Sequence, residues 1–307
     1  MSLTIRRRVW LFCDTFRGTN ISLATRGRAG RLAGTLMPVF TRDGAAIHFT
    51  DTGPPSTRPE APTVFFGHGL LFSGWLFHPQ IAALKSRYRC VAIDWRGQGD
   101  SRASGGYDMD TLTEDAIGLI DMLGVGAVHY VGLSMGGFVG QRIAARRGQL
   151  VRTLTLLDTS AGAEDPDKVT RYRLMARVYR VTGLTPLRRA VLPLMFGPSF
   201  LADPASKAVL DEWGRRLRRC PRSGTCKAVL AVADRASVEN ELGQIRVPTL
   251  VIVGADDAAT PPPKAQFIAD HIVGARLEHI GNCGHSSTLE QADTVTELLG
   301  EFLSQHD

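Results

Sequence analysis

The sequence predicts an α/β fold, a mainly parallel twisted sheet with helices on both faces and a helical insertion late in the chain. Three observations carry this. Short apolar strand runs alternate with helical patterns at the spacing of βαβ units. Those runs are apolar throughout rather than alternating, as expected for strands buried on both faces. From about 165 to 235 the strand runs stop, and short helical stretches take over, broken by Gly183, Pro186, Pro193, Gly197, Pro198, Pro204 and Pro221.

The elements follow in order. Pro38 to Thr41 and Ala46 to Thr50 flank Asp43-Gly44, a hairpin signal. After a Pro/Ser/Thr loop, Thr63 to Phe66 reads as a short buried strand running into Gly67-His68-Gly69-Leu70-Leu71. A helix is expected from Trp75 to Leu84, and a strand from Cys90 to Asp94 that ends in the turn Trp95-Arg96-Gly97-Gln98-Gly99-Asp100-Ser101. Met109 to Leu123 has amphipathic helical spacing. Next comes an apolar strand ending at Gly132-Leu133-Ser134-Met135-Gly136-Gly137, with a helix from Phe138 to Arg147 and a strand over Thr153 to Leu157. The sheet resumes at Val247 to Val253, followed by a helix from Pro262 to Ile272 and a last strand from Ala275 to Ile280. A final helix reaches about Leu303. The expected organisation is a basic extension over 1–36, a core over 37–164 and 236–307, and a helical cap over 165–235.

The chain has 307 residues, 44% apolar and 21% charged, with net charge +6. That is ordinary for a soluble globular protein. The charge is unevenly placed. Residues 1–36 carry seven arginines against Asp14, and residues 166–235 carry fifteen Lys/Arg against five Asp/Glu, so the remainder is acidic. Two local basic segments with no nucleic-acid motif argue against nucleic-acid binding. The basic cap is expected either to be a solvated face or to attract an anionic substrate. No apolar run reaches the roughly 18 residues of a membrane helix. The run after Arg6-Arg7-Arg8 is too short for an export signal. Five unpatterned cysteines, Cys13, Cys90, Cys220, Cys226 and Cys283, suggest free thiols in a reducing, cytoplasmic setting. No metal or organic cofactor is implied.

The chemistry centres on Ser134. Gly-x-Ser-x-Gly between a strand and a helix pushes a serine out at the C-terminal sheet edge, beside free helix N–H groups. Serine needs a base, and the base needs an orienting acid. His285 lies in the loop Gly281-Asn282-Cys283-Gly284-His285-Ser286-Ser287 at a strand end, whereas the other seven histidines read as structural or exposed. Asp257 is the preferred acid, ahead of Asp256 and then Asp158. Oxyanion donors are expected from the N–H groups of Met135 and Leu70, with Leu71 as the alternative. His68 reads as a structural hydrogen-bonding residue. Leu70, Leu71, Phe72, Trp75, Met135 and Phe138 are candidates for an apolar pocket wall.

From about residue 37 onward the chain resembles the α/β-hydrolase fold superfamily. The matching motifs are Gly67-His68-Gly69, Asp94 to Ser101, Gly132-Leu133-Ser134-Met135-Gly136-Gly137, Gly254-Ala255-Asp256-Asp257 and Gly284-His285. In that pattern the acid is the last residue of Gly-x-x-Asp, which implies Asp257. The stretch Gly132 to Gln141 also resembles the elbow of 3-oxoadipate enol-lactonase-type hydrolases, as do Arg246 to Ile252 and Ala258 to Pro262. The resemblance implies hydrolysis of a small ester or lactone, with C–C bond hydrolysis or cofactor-free perhydrolysis by the same residues as alternatives. A serine at this position excludes the aspartate chemistry of haloalkane dehalogenases and epoxide hydrolases. A non-catalytic ligand receptor on the same fold is the alternative of another class.

Patterned sequence begins at Met37, so residues 1–36 are expected to be dispensable. A chain starting at Met37 should match the full chain in melting temperature and ester turnover; an insoluble or inactive truncation would refute this.

Overall fold

In a computed structural model of the protein, the described residues are 38–102 and 105–307. The basic extension over 1–36 and Cys13 lie outside them. The hairpin forms as expected, β1 (Val39–Arg42) against β2 (Ala45–Asp51), with Asp43 and Gly44 both at positive φ, 46° and 73°. That pair is the mirror-type turn a two-residue hairpin requires.

The next elements are β3 (Thr63–Gly67), α1 (His78–Leu84), β4 (Arg89–Ile93), α2 (Met109–Leu123), β5 (Val128–Leu133), α3 (Met135–Arg146) and β6 (Val151–Leu157). Five helices follow: α4 (Pro166–Thr182), α5 (Arg188–Met195), α6 (Pro198–Ala202), α7 (Lys207–Arg219) and α8 (Arg222–Ala233). The chain closes with β7 (Thr249–Gly254), α9 (Pro262–His271), β8 (Arg276–Ile280), α10 (Ser287–Glu290) and α11 (Ala292–Ser304).

Three boundaries differ from expectation for physical reasons. Trp75 belongs to a 3-10 turn, Gly74–Phe77, and α1 begins only at His78, with Pro79 in the first turn where its missing N–H costs nothing. The helix after Ser134 starts at once, at Met135, so the two glycines that read as a turn are helical. The closing helix is split at Gln291, whose backbone is not helical.

One sheet holds all eight strands in the order β1-β2-β4-β3-β5-β6-β7-β8. β1, β2 and β4 pair antiparallel, and every pairing from β4 through β8 is parallel. Successive residues point to opposite faces. Phe65, Tyr130 and Val251 pack with α2, α3 and α9 on one face, while Phe66, Val131 and Ile252 pack with α1 and α11 on the other. The direction of chain progression reverses between β3 and β5, which adjoin although β4 lies between them in sequence. A crevice opens at such a switch point, beyond the carboxyl ends of the strands. Helices α4 to α8, inserted between β6 and β7, pack over that edge. Trp213 of α7 is buried there, and its indole N–H donates to the Leu71 carbonyl at 3.1 Å. No helix among the described residues is long and apolar enough to cross a membrane. Cys90, Cys220, Cys226 and Cys283 are buried free thiols.

Candidate active site

Ser134 sits at the switch point, between β5 and α3, with φ 52° and ψ −111°. This backbone is strained for a non-glycine residue. It is held because its neighbours are glycines. A Cβ on Gly136 would lie 1.9 Å from the Gly67 carbonyl oxygen, and one on Gly132 would lie 2.4 Å from that of Gly136. Neither position tolerates any side chain. The Ser134 N–H donates to Leu157 O at 2.8 Å, and Thr159 Oγ1 donates to Ser134 O at 2.8 Å, so β6 braces the strained residue from the other side.

Ser134 Oγ lies 2.9 Å from His285 Nε2, and His285 Nδ1 lies 2.8 Å from Asp257 Oδ2. An ionised carboxylate only accepts, so Nδ1 carries the proton and Nε2 is free to accept from the serine. Asp257 is buried, and its Oδ1 accepts from the N–H groups of Ala259 and Thr260 at 2.8 and 2.9 Å. Thr260 Oγ1 donates to Oδ2 at 2.9 Å. Burial pushes the Asp257 carboxyl up. The His285 charge and these hydrogen bonds outweigh it and hold the group below the usual carboxylate range. For His285, burial disfavours the cation, but the Asp257 charge and hydrogen bond win and raise it above its ordinary value.

The competing acids are placed elsewhere. Asp256 is exposed. Asp158 is fully buried, and burial together with the neighbouring Asp257 charge pushes it up to about 8. Its oxygens are occupied by Gly254 N–H at 2.9 Å and Ser287 N–H at 3.2 Å, so it ties the acid loop to the histidine loop.

The loop after β3 is fixed on both edges. His68 is buried, and burial drives it down to about 3, so it is neutral. Its Nδ1 donates to Gly69 O at 2.7 Å, and its Nε2 accepts from Trp95 N–H at 3.0 Å, a structural role. Leu71, at φ 67°, donates its N–H to Gln98 Oε1 at 2.8 Å. That removes Leu71 as an oxyanion donor. The N–H groups of Leu70 and Met135 have no acceptor among the described residues.

Of the six residues expected to line the pocket, Leu70, Leu71 and Phe138 do. Phe72 and Trp75 face a separate small cavity under α7, and Met135 is buried beneath the loop, its Sδ 3.8 Å from Gln98 Nε2. The cavity in front of Ser134 and His285 has a volume of about 850 Å³, mouth included. About half of its lining is Leu, Val and Met, drawn from the Leu70-Leu71 loop and from 175–232, with Tyr172 and Tyr179 of α4 beside them, and no Lys or Arg among the described residues lines it. The surplus cations of 165–235 therefore lie outside its lining, on the solvated-face side of the two readings the composition left open. Among the described residues, no cluster of His, Cys, Asp and Glu is suited to a metal ion.

Sequence reasoning missed Thr260, Gln98 and Glu290. Glu290 accepts from the N–H groups of Gly197 and Gly284, both at 2.9 Å, and of Ser286 at 3.0 Å. It clamps the histidine loop to the segment between α5 and α6. The signal for Thr260 was a small hydroxyl residue three positions after the acid; Glu290 left no signal that spacing could reveal.

A family profile for the α/β-hydrolase fold matches residues 62–292. The chain belongs to that family. It is 29% identical over 270 residues to 3-oxoadipate enol-lactonase 2 of Acinetobacter baylyi, covering 86% of this chain and 97% of that protein. It is 28% identical to a 2-hydroxy-6-oxononadienedioate/2-hydroxy-6-oxononatrienedioate hydrolase of Burkholderia vietnamiensis, over 84% of this chain and 90% of the other. Among solved structures, the enol-lactonase of Burkholderia xenovorans superposes with a TM-score of 0.80 at 29% identity, covering 87% of this chain and all of that one.

The geometry predicts how His285 titrates. Its imidazole should titrate above 6.5 by NMR, and Asp257→Asn should move the titration to lower pH. The raised value contributes stability below pH 6.5 that is lost as pH rises through the folded-state value. An unmoved titration in the variant would show that Asp257 does not hold the imidazole.

Proposed function

We propose that this α/β-hydrolase cleaves a small, neutral carboxylic ester or lactone through an acyl-enzyme on Ser134. The observation that carries the reading is the unbroken chain from Ser134 Oγ through His285 to Asp257, opening on an apolar cavity. Ser134 Oγ attacks the substrate carbonyl, and His285 Nε2 takes the hydroxyl proton. Negative charge gathers on the carbonyl oxygen, which faces the N–H groups of Leu70 and Met135, at the N-terminus of α3. His285 then gives its proton to the departing alkoxide, leaving the acyl group on Ser134. Water attacks that ester as His285 takes one of its protons; the acyl–Oγ bond then breaks, His285 returns the proton to Ser134 Oγ, and the acid leaves. Asp257 stays ionised throughout and stabilises the imidazolium.

The helices over 165–235 serve as the cap that shapes the substrate site. Their inner face supports a neutral, largely apolar substrate. The relatives named above carry names of carboxylated compounds, and this cavity offers such a group no cation. The same relay would also serve C–C bond hydrolysis or perhydrolysis, and a silent receptor would need none of it.

Ser134→Ala should lower kcat/KM toward short 4-nitrophenyl esters by on the order of 10⁴-fold or more with an unchanged melting temperature. A fluorophosphonate probe should label the parent on Ser134 and leave the variant unlabelled. Retained turnover by the variant would refute the assignment.

A further inference from the structure

Glu164 is the single carboxylate among the described residues lining the cavity. It lies in the loop between β6 and α4, and its side chain is 6% exposed. One oxygen, Oε2, accepts from Arg235 Nη1 at 2.8 Å, and Oε1 accepts from the N–H of Asp165 at 3.0 Å. Arg235 is buried more deeply, at 1%. Its remaining donors are largely spent on the protein: Nε on Gly162 O at 3.1 Å, Nη1 also on Val232 O at 3.0 Å, and Nη2 on Ser160 Oγ at 3.2 Å.

The order of the two charges matters. The Arg235 guanidinium stacks 4.3 Å over the ring of Phe138, itself a cavity residue one helical turn beyond Ser134. Glu164 reaches the cavity, whereas Arg235 does not line it. The negative charge thus belongs to a residue of the cavity wall and the positive one to a residue outside it. Tyr172, another lining residue, feels both charges, the carboxylate more strongly: burial and then the Glu164 charge push its hydroxyl up to about 12, against a smaller opposing effect of Arg235. A substrate carboxylate at this wall would meet a like charge at short range, in surroundings too apolar to screen it. The counter-charge is bonded to protein acceptors and does not line the cavity. A neutral chain pays no such penalty, and a hydroxyl can donate to the carboxylate.

We propose that Glu164, seated on Arg235, is the specificity-determining residue that makes this cavity reject carboxylated esters and lactones and admit neutral ones. The proposal rests on reading Ser134 as the nucleophile. Replacing Glu164 removes the repulsion, so discrimination should fall. A merely structural ion pair would alter stability and leave the discrimination as it was.

The test compares 4-nitrophenyl hexanoate with mono-4-nitrophenyl adipate, an acyl chain of the same length that ends in a carboxylate. The parent should favour the hexanoate in kcat/KM by on the order of 100-fold, and Glu164→Gln should reduce that ratio by on the order of tenfold. The double variant Glu164→Gln/Arg235→Gln, which buries no unpaired charge, should reduce it likewise and stands in where the single variant fails to melt cooperatively. Equal use of both esters by the parent would overturn the proposal without any variant. So would an unchanged ratio in either folded variant. A parent that hydrolyses neither ester and takes no fluorophosphonate label would overturn the reading of Ser134, and the proposal with it.

Discussion

The site depends on one close approach of backbones. Strand β5, helix α3 and the end of β3 meet where the Gly67 carbonyl occupies the place a Cβ of residue 136 would take. That contact forces the chain from strand to helix with no intervening loop and leaves Ser134 at positive φ. The strain is small beside the packing that imposes it, with β6 bracing Ser134 through Leu157 and Thr159. Parallel strands end on the same side, so β3, β5, β7 and β8 deliver the loop Gly67 to Leu71, Ser134, Asp257 and His285 to one edge. No element has to travel to complete the arrangement.

Electrostatics at that edge are set by competition between burial and pairing. Burial alone would neutralise both Asp257 and His285. The hydrogen bond between them, with the N–H groups of Ala259 and Thr260 on the carboxylate, reverses the outcome for each. Asp158 shows the converse. It is close enough to Asp257 to feel its charge, has no cation of its own in hydrogen-bond contact, and is driven up to about 8. Its two backbone partners make it a tie between loops, while His285 is bonded to Asp257. A carboxylate paired with a histidine and one paired with backbone thus lie side by side.

The core of this arrangement was legible in the sequence because it rests on local rules. Glycines at 132 and 136, a two-residue Asp43-Gly44 turn and fully apolar strands each have one dominant structural reading. The order of serine, acid and histidine follows from the order of the strand ends. What was not legible depends on packing between distant segments. Phe72 and Met135 looked like pocket residues from their neighbourhood, but the turn of the loop at Leu71 sends one beneath α7 and the strain at Ser134 buries the other. The basic composition of 165–235 left a solvated face and an anionic-substrate cap both open, because composition cannot say which face of a helix points inward. Glu164 and Arg235 are 71 residues apart, and only the fold brings them to one wall.

The account stands on a covalent bond forming at Ser134 during turnover. Rapid-quench mass spectrometry with a slowly deacylating 4-nitrophenyl ester tests it most directly. The parent should show a burst of nitrophenolate with matching stoichiometric gain of one acyl mass, mapped to the peptide bearing Ser134. Turnover with no acyl adduct at steady state or in the burst, or an adduct mapped to another residue, would contradict it.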